Sequence, residues 1–291
     1  MLIALASVKA SPGVTTFALA LAASWPANVR RVVVECDPAG GDLAQRFGLA
    51  ASPGLLSLAA VARQPVDPDV VWSHAQPLPG GIEVIPGPSG GHQARAALST
   101  LTSAASPLYG IARRPTAAMF ADCGRLDPGS SAEAVIRHAD VLLLISGTYS
   151  DELAHLATRV HELGRMATRA CLVLAGRGHP THEVERELGI PVMARIPYDP
   201  GAAEHHTGRA APGRRRTGGL ARVASVVART LSGETPCESS PSVPAQAPTF
   251  VQQVPGIPAQ PTAASGVRVL PPPAPHNGHS HATASGKDIR S

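Results

Sequence analysis

The sequence predicts an α/β fold: a three-layer α/β/α domain with a mainly parallel central sheet over residues 1–231, followed by a disordered tail over 232–291. Three observations predict it. Short, strongly apolar runs alternate with stretches of helix length, the pattern of βαβ units. Apolar residues make up 44% of the 291 but aromatic ones only 3%, so Ala, Val and Leu must build the core, which suits a parallel sheet covered by helices on both faces. From Ser232 onward the composition changes. This segment holds 11 of the 29 prolines, little charge, and scattered Ser, Ala, Gln and Gly, too few apolar groups to offset the entropy of ordering.

Taken in order, apolar runs predict strands at Met1–Val8, Arg31–Cys36, Gly81–Ile85, Ala117–Ala121 and Asp140–Ile145, with two more at Ala170–Ala175 and Val192–Ile196. Helices are expected at Thr15–Ser24, Ser131–His138, Glu152–Thr168 and His182–Leu188. Near the end of the domain, GRRRTGG (213–219) precedes LARVASVVARTL, in which Leu220, Val223, Val227 and Leu231 share one helical face. That face reads as a last helix packed on the sheet. The alternative is that Arg214–Arg216 and this helix form a basic surface for nonspecific DNA or peripheral membrane contact.

Other classes find less support. No apolar run reaches the length that spans a bilayer, and MLIALASVKA lacks the basic start and cleavage site of a signal peptide, so a cytoplasmic location is expected. Cys36, Cys123, Cys171 and Cys237 lack zinc-ligand spacing, and the first three lie in or beside apolar runs as small hydrophobes. His179, His182, His205 and His206 have HxxH and HH spacings but no cysteine nearby to complete a tetrahedral set. The carboxylates of Glu152, Glu162, Glu183, Glu185 and Glu187 read as solvated helix faces, and Trp25 and Trp72 as core or turn anchors.

Chemistry concentrates where the first strand ends. It runs into Lys9-Ala10-Ser11-Pro12-Gly13-Val14-Thr15-Thr16 and then the helical FALALAAS. A strand, a small-residue loop and a helix N-terminus make an anion site, because backbone N–H groups converge there and the helix dipole favours negative charge. Thr15 stands where such a loop places a magnesium-ligating hydroxyl. The segment resembles the deviant Walker A loop, KGGxGKTT, of the ParA/MinD P-loop ATPases, with Lys9 on the signature lysine. In that family the signature lysine reaches across a sandwich dimer to the partner's nucleotide, so the resemblance implies a nucleotide-dependent homodimer. Ala10 and Ser11 replace the two glycines. Val14 replaces the lysine that contacts the β- and γ-phosphates in cis, a loss that costs both binding and transition-state stabilisation. The chain contains only two lysines, Lys9 and Lys287, which gives Lys9 added weight.

Four later segments extend the resemblance in the same order. Glu35-Cys36-Asp37-Pro38-Ala39-Gly40-Gly41-Asp42 is similar to DxDPQGN, with Asp37 on the residue that orients the attacking water and contacts magnesium, and Glu35 on the first aspartate. Ala118–Gly124 looks like the Walker B strand, which implies that Asp122 holds a magnesium-bound water and that Gly124 and Arg125 open the switch loop. Residues 139–145 look like the next core strand. Residues 189–199 are close to LGIPVLGVIPYD, whose loop borders the adenine, which implies nucleotide contacts at Pro197 and Asp199; Gly176 replaces the usual base-contacting asparagine.

The resemblance thus implies a P-loop NTPase fold that takes ATP and Mg2+. Lys9 and Asp37 would act in catalysis; Lys9, Ala10, Ser11, Gly13, Val14, Thr15, Thr16, Pro197 and Asp199 would contact nucleotide; Thr15, Asp37 and Asp122 would serve the metal. The expected function is a switch with weak or no hydrolysis that positions plasmid, chromosome, or pilus and secretion machinery through a protein partner, the atypical loop being similar to the CpaE/TadZ-like branch. The alternative is a pseudo-ATPase scaffold that binds no nucleotide and recruits partners through its last helix and tail.

Overall fold

Every residue of β1 (Leu2–Ser7) is buried, as a strand covered on both faces requires. Its side chains alternate, Leu2, Ala4 and Ala6 joining one apolar core and Ile3 and Leu5 the other, so β1 lies in the middle of three layers. The computed structural model describes residues 1–9, 13–198 and 218–233, all within one unit spanning Met1–Phe250. Residues 10–12, Asp199, the loop histidines His205 and His206, the Arg214–Arg216 cluster and the tail from 234 onward lie outside the described residues, as does the greater part of the predicted second segment.

The other strands are β2 (Arg30–Glu35), β3 (Gln76–Leu78), β4 (Ile82–Ile85), β5 (Ala117–Arg125), β6 (Val141–Gly147), β7 (Arg169–Ala175) and β8 (Val192–Ile196). They form one sheet in the order β3-β4-β2-β5-β1-β6-β7-β8. All described neighbours are parallel except β3, which runs antiparallel to β4 at the edge. The register sets Glu35 of β2 beside Asp122 of β5, both at carboxyl ends.

Between the strands lie α1 (Val14–Ala23), α2 (Leu43–Phe47), α3 (Leu55–Val61), α4 (Val70–Ser73), α5 (Gly91–Leu101), α6 (Pro107–Ala112), α7 (Glu133–Arg137), α8 (Ser150–Ala157), α9 (Val160–Gly164) and α10 (Thr181–Leu188). The last described helix is Gly219–Leu231. One face of the sheet carries α1 and this last helix; the other carries α3 and α5 to α10. Phe17 to Ala22 are buried all round because the last helix covers the side of α1 that the sheet does not. Leu220, Ala224, Val227 and Leu231 form its buried stripe, with Val223 half-buried beside them, so the helix packs as its periodicity predicts. Trp25 closes this core edge-on to Phe120, with ring centroids 5.2 Å apart. Trp72 sits beneath the guanidinium of Arg30, 3.9 Å from the ring centre.

Three features depart from the sequence reading. β3 is a three-residue edge strand whose central Pro77 is tolerated because edge strands leave one side unpaired. β5 continues to Arg125, four residues past its apolar run, because Ser7 and Arg125 still pair and the Ser7 carbonyl accepts Leu126 N–H at 2.8 Å. The single helix expected over 152–168 is two, broken at Thr158–Arg159. There Arg159 turns its side chain inward, donating to the Leu126 carbonyl at 2.5 Å and to Glu133 at 3.3 Å. These tertiary bonds override the local periodicity.

Candidate functional site

The carboxyl ends of β1, β2 and β5 open into a cleft of about 850 Å³. Ligands of open α/β sheets bind in this position, where connections leave the sheet in opposite directions. Its first wall is the turn from β1 into α1. Gly13 adopts φ 92°, ψ 36°, a left-handed conformation that side chains with a β-carbon resist, and its carbonyl starts the helix by accepting Phe17 N–H at 2.8 Å. Val14, Thr15 and Thr16 line the cleft from the first turn of α1, whose leading N–H groups have no partner within the helix. Val14 is only 6% exposed and belongs to the core beneath α1, so its side chain offers this wall no cation where an ammonium is expected.

The floor is Asp122, 2% exposed. Burial pushes its carboxyl up to about 6, against the hydrogen bonds it accepts from the Thr15 hydroxyl and, at 3.2 Å, from Gly124 N–H. The nearby charge of Asp37 adds to the rise, and Arg46 opposes it. Asp37 follows β2. Its Oδ1 accepts Ala39 N–H at 2.7 Å, and its carboxylate lies against the Cα of Gly124, where φ is +59° and a β-carbon would overlap it. Burial raises the Asp37 pKa; Ala39 N–H opposes the rise, Asp42 adds to it, and Arg125 opposes it. Thr15, Asp37 and Asp122 therefore present hard oxygen donors from three elements. Among the described residues no group of three or more His, Cys, Asp or Glu is placed to hold a metal alone. This donor set fits Mg2+, which takes one or two carboxylates and completes its octahedron with phosphate and water.

Glu35 acts differently. It is 3% exposed, and its Oε1 accepts the N–H groups of Asp42 and Leu43 at 2.8 and 2.9 Å while Oε2 accepts Gly87 N–H at 2.8 Å. It ties the start of α2 and the loop after β4 to the end of β2. Burial nevertheless pushes its carboxyl up to about 7, with the three N–H bonds opposing.

The far wall is the loop after β5, where Arg125 pairs with Asp127 at 3.2 Å. The loop is held from below, because Glu133 accepts Gly129 N–H at 3.1 Å and Arg159 both pairs with Glu133 and donates to the Leu126 carbonyl. Arg46 of α2 and Arg95 of α5 complete the lining.

The structure thus brings Gly13, Val14, Thr15, Thr16 and Asp37 around one cleft with Asp122 beneath them. It does not bring Lys9 or Pro197 there. Lys9 is exposed and outside the lining, and Pro197, at the end of β8, packs against Gly219. Ala10, Ser11 and Asp199 lie outside the described residues. The sequence reading missed Arg46 and Arg95 as lining residues and the clamping role of Glu35, whose only local signal was an acid at a strand's carboxyl end. His179 bonds Ser150 at 2.9 Å and Glu183 at 3.4 Å, holding the loops after β6 and β7 together.

A mostly parallel sheet between helix layers, a strand-to-helix turn at its carboxyl edge, and a buried aspartate on the adjacent strand beside the first turn of that helix are the features of the P-loop α/β fold. Comparison with solved structures narrows this to the fold of ParA/MinD ATPases. A ParA family ATPase from Chlorobium tepidum matches at TM-score 0.64 and 19% identity over 79% of this chain and 98% of its own. The cell division ATPase MinD of Pyrococcus furiosus matches at 0.61 and 18% over 78% and 97%. The septum site-determining protein MinD of Pyrococcus horikoshii, solved in complex with Mg-ADP, matches at 0.57 and 14% over 80% and 97%. No protein-family model matches the chain, and no curated protein sequence matches it significantly.

Proposed function

We propose that this chain is a nucleotide-gated positioning switch that binds ATP with Mg2+, dimerises in that state, and hydrolyses slowly or not at all. The observation that carries the reading is a cleft lined by Thr15 and Asp37, with the buried Asp122 carboxylate close beside the Thr15 hydroxyl. That triad supplies the metal side of a phosphate site. When bound, Mg2+ would neutralise phosphate charge; Thr15 would be its direct ligand, while Asp122 and Asp37 would orient its waters. Gly13 turns the chain so that the first N–H groups of α1 face the phosphates. Asp37, held by Ala39 N–H and seated on Gly124, is placed to orient an attacking water. Val14 leaves developing charge on the γ-phosphate without its usual cis cation, which supports slow turnover. An exposed Lys9 is available to a second copy of the chain. The solved relatives in fold are a ParA family ATPase and cell division MinD proteins, one with Mg-ADP, which supports the general kind of function.

The test is equilibrium binding of labelled ATP with and without Mg2+, beside sedimentation of the wild type and Lys9→Ala. Saturable, Mg2+-dependent binding and ATP-dependent dimerisation that Lys9→Ala abolishes are expected. No saturable binding below millimolar ATP would overturn the reading. It would favour the scaffold alternative, which draws on one observation, the apolar Val14 built into the core at the loop's centre.

A further inference from the structure

We infer that Arg46 supplies, from the β2–α2 side of the cleft, the positive charge that Val14 withholds from the loop, and that its guanidinium binds the phosphates of the nucleotide. This rests on the nucleotide reading above and adds the residue that would make it work without the cis lysine. The described lining contains three cations, Arg46, Arg95 and Arg125, and no lysine. They differ in availability. Arg125 is 57% exposed and paired with Asp127 on the loop's outer side. Arg95 donates to the Pro38 carbonyl at 3.1 Å, bracing the wall that carries Asp37. Arg46 is the least exposed of those in ion pairs here, at 26%, and its partner Asp42, at 2.9 Å, is 68% exposed.

A surface pair at i,i+4 spacing is weak, so a polyphosphate carrying several charges competes for that guanidinium effectively. Arg46 lines the same cleft as Gly13, Val14 and Thr15 of the β1–α1 turn and the helix it starts. Its position is fixed rather than trailing. Glu35 holds the N–H groups of Asp42 and Leu43, and Arg46 N–H bonds the Asp42 carbonyl at 2.9 Å. A planar guanidinium offers a phosphate two parallel donors, which an ammonium does not. The acidic groups that line the cleft with it are Asp37, Asp42 and Asp127, of which Asp42 pairs with Arg46 itself and Asp127 with Arg125.

The experiment measures Mg-ATP affinity of the full chain by equilibrium dialysis for wild type, Arg46→Ala, Arg46→Lys, the double variant Arg46→Ala/Val14→Lys, and Arg63→Ala as an exposed arginine outside the cleft. Arg46→Ala is expected to weaken binding about tenfold or more, the scale of a lost charge-assisted hydrogen bond, with Arg46→Lys intermediate. The double variant is expected to regain most of that loss, and Arg63→Ala to stay within about twofold. Melting without ligand confirms that each variant is folded; should Arg46→Ala fail to fold, Arg46→Gln replaces it. Wild-type binding with Arg46→Ala within about twofold of it overturns the inference and leaves the nucleotide reading standing. A wild type that binds no ATP overturns both.

Discussion

Glu35 provides a direct test of the cleft's construction. Its carboxyl is displaced from an ordinary 4.5 to about 7, with burial as the leading cause. Between those values the folded chain holds a proton that the unfolded chain has released. Folding stability contributed by this group is therefore complete below pH 4.5, falls as pH rises, and levels off above 7. A displacement of this size corresponds to about 3 kcal/mol, a large share of the roughly 5–15 kcal/mol that holds a typical domain together. The three N–H groups that Glu35 accepts stay satisfied throughout, so the fall reflects the cost of burying charge rather than loss of the clamp. Glu35→Gln removes the charge and keeps one acceptor oxygen, which can serve Asp42 and Leu43 but leaves Gly87 N–H facing an amide donor. The variant should be about 1–3 kcal/mol less stable than wild type at pH 5, where the wild-type side chain is protonated. It should then lose much less stability than wild type between pH 5 and 8. Urea unfolding followed by circular dichroism at each pH gives both numbers. Asp122, displaced from 3.8 to about 6, adds a fall of the same sign at lower pH, so the variant's profile is flatter but not flat. A wild type whose stability rises from pH 5 to 7, or a variant with an unchanged profile, would refute the account of Glu35 as a buried, charge-penalised clamp.

Three further outcomes are expected. Val14→Lys should raise ATP turnover about tenfold or more while changing affinity less, since Arg46 already supplies charge to the bound phosphates and the added ammonium acts on the charge that develops; single-turnover and binding measurements separate the two. Gly124→Ala, which places a β-carbon against the Asp37 carboxylate at φ +59°, should cost about 1–3 kcal/mol by thermal unfolding and abolish the effect of Mg2+ on ATP binding. Val227→Asp puts an unpaired charge between the last helix and α1 and should cost about 3–5 kcal/mol, read as loss of a cooperative melting transition or a steep fall in its midpoint.

The parallel sheet was legible because strands buried on both faces leave continuous apolar runs, and β1, β2, β6, β7 and β8 fall within a residue or two of those runs. The turn from β1 to α1 and the order of Asp37 and Asp122 were legible because each carboxylate sits at the carboxyl end of its own strand, a position fixed by local sequence. The break at Thr158–Arg159 was not, because what ends α8 is the attraction of Arg159 to a carbonyl 33 positions earlier. Arg46 was hidden for the same reason. Its spacing is that of any surface helix, and what seats the five-residue α2 beside the cleft is tertiary: Leu43 in the core and the bonds from Asp42 and Leu43 N–H to Glu35. Glu35 read as a variant of a functional acid, whereas its three backbone partners make it a fastening between loops 52 positions apart.

The roof over α1 sets a condition on how this protein comes off the ribosome. The helix that carries Val14, Thr15 and Thr16 is synthesised well before the last described helix, which closes its outer side; Ser225 touches Ser24 at 3.4 Å across 201 positions of chain. Phe17, Leu19 and Leu21 therefore emerge before their full cover, an interval in which exposed apolar surface favours chaperone capture or aggregation. Contacts this distant in sequence are also slow to form. A nascent chain stopped short of residue 219 would hold the turn, the two aspartates and the sheet, and still lack the layer that seats α1.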